Sequence, residues 1–388
     1  MNFVDDYNKM IIQEIDRLKT QNFIFPTHEE YRLKIFNDAQ KRVSSAQEMQ
    51  EEAKNNFETI SQDASKSAED KTYAEETFNS ATENLSDAQG NLSTAQQNLD
   101  LVRQGNISSS LQNDYEDYLI NLYFNIKAKT IPPVKRTVHK CTSFVVPPQY
   151  QEAVATIETA ISNGEDLFPR LSRQIFKADF KDMMMFDFGI THLHLGMTPD
   201  QNHAGLVQGG SDVLYAMFTP TDAYLIKIGP HGLWNDRQLL IDIDNSFPNA
   251  LDPYKTFGRP EPEYSDDDRL MLKKENINTS FMVNNKHIMP PGMGMNAAGT
   301  SMQATMQLCF MRKNVQRLQN FVKLYETPLK EKYQFSNIDF QLKYISSQGA
   351  IGFDNTNNIQ FTYDYQTDEI CFLKKEDDNH YTLLDLQI

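Results

Sequence analysis

Between residues 36 and 102 the chain repeats an apolar or alanine side chain at alternating steps of three and four, a spacing that a helix turns into one continuous stripe. The stripe passes through Phe36, Ala39, Val43, Ala46, Gln50, Ala53, Phe57, Ile60, Ala64, Ser67, Lys71, Ala74, Phe78, Ala81, Leu85, Ala88, Leu92, Ala95, Leu99 and Val102. No proline interrupts it, and the intervening positions are mostly Gln, Glu, Asn, Ser, Lys and Asp. A heptad seam this long predicts a coiled-coil arm over 36–103, and its alanines require the facing helix to come close.

The seam turns polar at two adjacent positions, Ser67 and Lys71, which straddle its middle. A chain that folds back there buries one half of the stripe against the other. An antiparallel hairpin is therefore expected, with its tip near residues 66–72 and Ala53 near Leu85. The alternative is one rod pairing with a second copy, on the order of 100 Å long at ~1.5 Å per residue. In both forms the exposed faces carry no histidine, cysteine or clustered cation, which suits binding of a partner protein or self-association better than catalysis.

The arm interrupts a helical region, residues 1–35 and 104–130, whose apolar side chains also recur at helical spacing. Residues 131–149 hold Pro132, Pro133, Pro147 and Pro148 and are expected to be a linker. Beyond it, residues 150–388 read as a mixed domain. VLYAMF and AYLIKI are joined by TPTD, and NIQFTYDY and EICFLKK by QTD, two hairpin signals. A long helix is expected from about Asn296 to Tyr325. The fold class is α+β: an antiparallel sheet with segregated helices plus the inserted arm.

Composition narrows the function. The formal net charge of −16 opposes an extended DNA footprint, which needs clustered Lys and Arg. No run approaches the ~18 apolar residues of a membrane span, and the opening MNFVDDYNKM lacks the pattern of a signal peptide, so no membrane partner and a cytoplasmic location are expected. Cys141, Cys309 and Cys371 have no metal or disulfide spacing and are expected to be buried, reduced thiols.

The chemistry-bearing signal is the stretch FDFGITHLHLG, Phe186 to Gly196, followed by IGPHGLW, Ile228 to Trp234. His192 and His194 are two apart in a strand pattern, so both imidazoles project from one face, with Leu193 and Leu195 turned to the core. His231 lies on a turn framed by Pro230 and Gly232. Three chemistries use such a set. Histidines can be the general base and acid of RNA cleavage through the 2′-hydroxyl, with Lys227 or Arg237 stabilising the phosphate and Trp234 stacking on a base. They can be a metal half-site completed by His231 and Asp187 or Asp236, although the glutamate that cupins place after HxH is missing. They can also be structural, bonded to backbone at a sheet edge.

DFGITHLHLG with the later HGLWNDRQLLIDI resembles a D[FW]GIxHLHLG…HG pattern in poorly characterised bacterial proteins associated with mobile elements or defence, over about Leu171 to Pro248. The resemblance brings no established activity with it. A cruder similarity to small α+β ribonuclease toxins points the same way as the histidine chemistry. The expectation is a toxin-type or antiphage endoribonuclease that needs neither metal nor cofactor, takes RNA as substrate and uses the arm for assembly, sensing or inhibition. A coiled-coil scaffold without activity is the first alternative, and a metal-dependent hydrolase the second.

Overall fold

Thr27 and Ser67 start the two longest helices by the same device. Each hydroxyl accepts a hydrogen bond from the backbone N–H three residues on, and the carboxylate of that residue, Glu30 or Asp70, accepts one from the backbone N–H of the cap. The computed structural model describes residues 1–258, 264–335, 337–346, 348–377 and 380–384; the positions outside this description all belong to the expected 150–388 region. The described chain divides into two compact units, residues 25–118 and residues 1–24 with 119–388.

The unit of residues 25–118 is helical. With α1 spanning Phe3–Thr20 in the other unit, α2 runs His28–Gln62 and α3 Ala68–Arg103, antiparallel, and α4 begins at Ser109 and ends at Lys129. Ala39, Ala53, Ala74, Ala81, Ala95 and Leu99 are buried, and all belong to the seam. The rings of Phe57 and Phe78 stack at a centroid distance of 5.9 Å, and Gln50 donates to Thr82 at 3.3 Å. The reversal occupies residues 63–67, short of the expected 66–72, because the Ser67–Asp70 capping box nucleates α3 at Ala68. Lys71 consequently lies in the first turn of α3, and the pairing shifts by about one helical turn. Ala53 faces the Ala81 region instead of Leu85.

The second unit holds two larger sheets and a two-stranded ribbon. The first sheet has the order β1 (Thr137–Lys140), β4 (Asp222–Pro230), β3 (Asp212–Phe218), β2 (Ile190–His194). β2, β3 and β4 are antiparallel neighbours, and the VLYAMF/AYLIKI hairpin is β3–β4. Residues 131–149 do more than connect. Their prolines flank β1 without entering it, so its amides remain free to pair, and it adds a parallel edge to β4. Helix α5 (Gln151–Asn163) packs near β1, and α6 (Met183–Phe188) leads into β2. One face of the sheet is covered by Leu239, Leu240 and Ile243 of α7 (Gln238–Ser246) and by Phe281, Val283 and Ile288. The last three come from β5 (Phe281–Val283) and β6 (Lys286–Ile288), which follow α8 (Asp266–Lys274).

Helix α9 spans Met302–Lys323, shorter at its start than expected, since Asn296 bonds Thr300 in a turn and Ser301 is the cap. After α10 (Glu326–Tyr333) the chain forms an antiparallel meander of β7 (Gln341–Ile345), β8 (Gly349–Asp354), β9 (Ile359–Asp364), β10 (Glu369–Lys375) and β11 (Tyr381–Leu384). Its core is Phe340, Phe361 and Phe372, joined by Phe3 of α1, which stacks on Phe361 at 5.6 Å. The architecture is α+β. Among the described residues no helix is long and apolar enough to cross a membrane. Cys141 is buried, but Cys309 and Cys371 are exposed free thiols, because α9 and β10 turn them outward.

Candidate functional site

Strand β2 is an edge strand, and both of its faces are covered. Leu193 and Leu195 are buried on one side. On the other, His192 sits opposite Tyr215 and His194 opposite Val213, and both partners are buried in the apolar layer. The histidine face is therefore not the polar surface expected from alternation; the imidazoles stand at the end of a hydrophobic face. Arg170, itself buried, covers the strand where pairing stops, donating to the carbonyls of His194, at 3.4 Å, and Gly196.

The third imidazole arrives from the end of β4. The Tyr215 hydroxyl donates to the Pro230 carbonyl at 2.6 Å, the His231 amide donates to Ser211 at 3.3 Å, and Gly232 takes a φ of 105°. Tyr215 thus links the two halves of the site, pairing with His192 and pinning the turn that carries His231. The three rings form a triangle with centroid separations of 5.8 Å for His192–His194, 5.4 Å for His192–His231 and 5.2 Å for His194–His231.

Burial holds the His192 imidazole down to about 4, with the neighbouring His231 adding to the effect. Burial also brings His194 down to about 4, reinforced by His192, His231 and Arg173 and opposed by Asp200. Both rings are neutral at pH 7, each with one nitrogen able to accept a proton or a hydrogen bond.

Beside the triangle lies a cavity of about 470 Å³, lined by His194, His231, Arg173, Gln174, Gln208 and Gly209 among others. Its rim is the loop between β2 and β3, closed by pairing of Pro199 with Val207 and by Gln208 N–H donating to Thr198 at 2.8 Å. Two glycines permit this closure. A side chain at Gly196 would collide with the Gln208 carbonyl, and one at Gly209 would press on His194 Nδ1 at 3.3 Å. His194 Nδ1 and Gln174 Oε1 are buried without a hydrogen-bond partner.

The other residues singled out in the sequence lie elsewhere. Asp187 is buried against Arg269, at 3.0 Å, and Lys273, so it neutralises an internal cation pair. Arg237 is held by Asp266 at 2.7 Å, which also pairs with Arg269. Asp236 accepts the Gln238 amide at 2.9 Å, a local bond in the turn that leads into α7. Trp234 packs against the apolar layer that contains Tyr215 and Leu239. Lys227 is exposed two strands from His192, with Tyr215 between them in register, about 10 Å of strand spacing away. Sequence reasoning missed Arg173 and Gln174. They occupy a short 3₁₀ turn, Arg173–Phe176, where no periodicity marks them.

Among the described residues no group of three or more His, Cys, Asp or Glu side chains is arranged to hold a metal ion. The chain matches no protein-family model, no curated protein and no solved structure.

Proposed function

We propose that the protein is an endoribonuclease of the toxin or antiphage type, cutting RNA by histidine general acid/base chemistry without a metal. The observation that carries this reading is the triangle of three imidazoles at 5.2–5.8 Å beside a polar cavity. A neutral imidazole takes the proton of a ribose 2′-hydroxyl as the 2′-oxygen attacks phosphorus. A second, protonated imidazole gives a proton to the departing 5′-oxygen, and the products are a 2′,3′-cyclic phosphate and a free 5′-hydroxyl. The depressed pKa values keep the base unprotonated at neutral pH, at some cost in its proton affinity. The acid needs a proton that the free site holds weakly, and a bound phosphodiester supplies the missing bias, since an anion within a few ångströms raises an imidazole pKa.

In this reading α2 and α3 form a coiled-coil arm that binds a partner protein or a second copy, and the protein works in the cytoplasm. The test uses purified full-length protein and total RNA, with and without cell extract to supply an activator. Replacing the essential histidine among His192, His194 and His231 by Ala is expected to lower cleavage by roughly 10²-fold or more with the fold intact. If wild type and all three variants leave RNA untouched, and expression of each is equally harmless, the protein is a scaffold. Loss of activity in EDTA with rescue by zinc or manganese would make it a metal-dependent hydrolase.

A further inference from the structure

The cavity beside the histidines combines features that a solvent-filled dent does not need. Arg173 lines it, and among the described residues its side chain makes no hydrogen bond or ion pair. Gln174, next in the chain, has the Oε1 end of its amide buried and unpartnered, and His194 Nδ1 is in the same condition. Buried polar atoms are almost always paired, so two such atoms without partners on one wall, with an uncommitted guanidinium residue beside them, mark a place where a ligand supplies the partners. Asp200, among the described residues the one carboxylate lining the cavity, accepts the backbone amides of Asn202 at 2.8 Å and His203 at 2.9 Å and contacts the His203 ring, so its charge is engaged within its own loop.

The charge placement also resolves a gap in the chemistry. Cleavage develops negative charge on phosphorus-bound oxygens and requires a cation at the site. Lys227 and Arg237, the cations expected from the sequence, are respectively across Tyr215 and paired with Asp266. Arg173 lines the cavity with His194 and His231. A guanidinium offers a planar fork of donors to two phosphate oxygens, and the Gln174 amide can complete the set with a donor to phosphate or an acceptor for a ribose hydroxyl.

We infer that this cavity is a nucleotide subsite in which Arg173 binds the phosphate and Gln174 assists, and that it accepts one unpaired ribonucleotide at a time. The size supports the second half. About 470 Å³ lies at the low end of the ~300–1,000 Å³ of small-molecule sites, enough for a single nucleotide and too little for a base pair. A base stacked in a duplex cannot bring its phosphate down to histidines set into the end of a sheet face, whereas a splayed nucleotide can. The inference deepens the ribonuclease reading and rests on it for the substrate class.

The test is a binding measurement that needs no turnover. Calorimetric titration of the full-length protein with uridine 3′-monophosphate is expected to show binding that weakens about tenfold or more in Arg173→Ala and is partly kept in Arg173→Lys, as for loss of a charge-assisted fork. Uridine without phosphate should bind weakly and equally in all three. A single-stranded oligoribonucleotide should displace the monophosphate, and a blunt duplex of the same sequence should not. Equal affinity in wild type and Arg173→Ala, or no binding to wild type at millimolar concentration, overturns the assignment; a duplex that competes equally well overturns the unpaired requirement. Because Arg173 is exposed, its replacement should leave the thermal transition unchanged, and Gln174→Ala gives an independent second variant. Binding as expected with no RNA cleavage would keep the anion site and defeat the ribonuclease reading. Cleavage by Arg173→Ala at the wild-type rate would do the reverse.

Discussion

His192 and His194 are affected less by their own sequence than by what lies under them. The HxH spacing alone places two imidazoles on one face of a strand, and that much was legible because strand periodicity is strict. Their burial was not legible. It follows from Val213, Tyr215 and Met217 on β3, which turn the same face into core. The glycine that ends HLHLG has a similar explanation, since only a residue without Cβ lets the Gln208 carbonyl pass Gly196. Neither partner can be inferred from the motif. Burial makes a testable difference to stability. Both imidazoles sit at about 4 in the folded protein against 6.5 when unperturbed, so between those values the unfolded chain binds more protons. Their contribution is complete above about pH 6.5 and is lost as the pH falls toward 4. Urea unfolding at pH 7 and at pH 4.5 should show a larger stability loss for wild type than for a His192→Asn, His194→Asn variant, in which carboxylate titration remains but these two sites are gone. Equal losses would mean that the imidazoles are solvated.

At the scale of elements, the helices α2 and α3 were visible in the sequence because a three–four repeat over so many turns has few other uses. The point of reversal was harder to read. Ser67 and Lys71 interrupt the apolar seam, yet a polar interruption marks a neighbourhood and a capping box marks a residue. The Ser67–Asp70 pair starts α3 at Ala68 and so sets the register that brings Phe57 to Phe78. β1 escaped notice for the opposite reason: four residues between proline pairs look like a connection until β4 offers an edge to pair with. The register yields an expected outcome. In a background with exposed Cys309 and Cys371 replaced by Ser, a short bifunctional thiol reagent should link Ala53→Cys to Ala81→Cys within one chain, and more readily than Ala53→Cys to Leu85→Cys. Preferential linkage to position 85 would restore the longer tip, and linkage only between chains would mean that α2 and α3 pair across two copies.

For the whole molecule, the α+β class was readable from alternating hairpin and helix patterns, while the assembly of the site was not. His192 and His194 come from one sheet edge, His231 from the end of a strand two places away, and Arg173 from an irregular turn before α6. Chain positions so far apart carry no common signature; the β2–β3–β4 order and the Tyr215 bond to Pro230 bring the three histidines together, and His194 and His231 share one cavity with Arg173. The central claim is that this constellation cuts RNA through the 2′-hydroxyl. The most direct measurement is the chemistry of the new ends after full-length protein, treated with EDTA, has acted on a defined single-stranded RNA. A 2′,3′-cyclic phosphate facing a 5′-hydroxyl, lost in the alanine variant of the essential histidine, is the predicted result. New ends carrying a 3′-hydroxyl and a 5′-phosphate, or intact RNA under every condition, would contradict it.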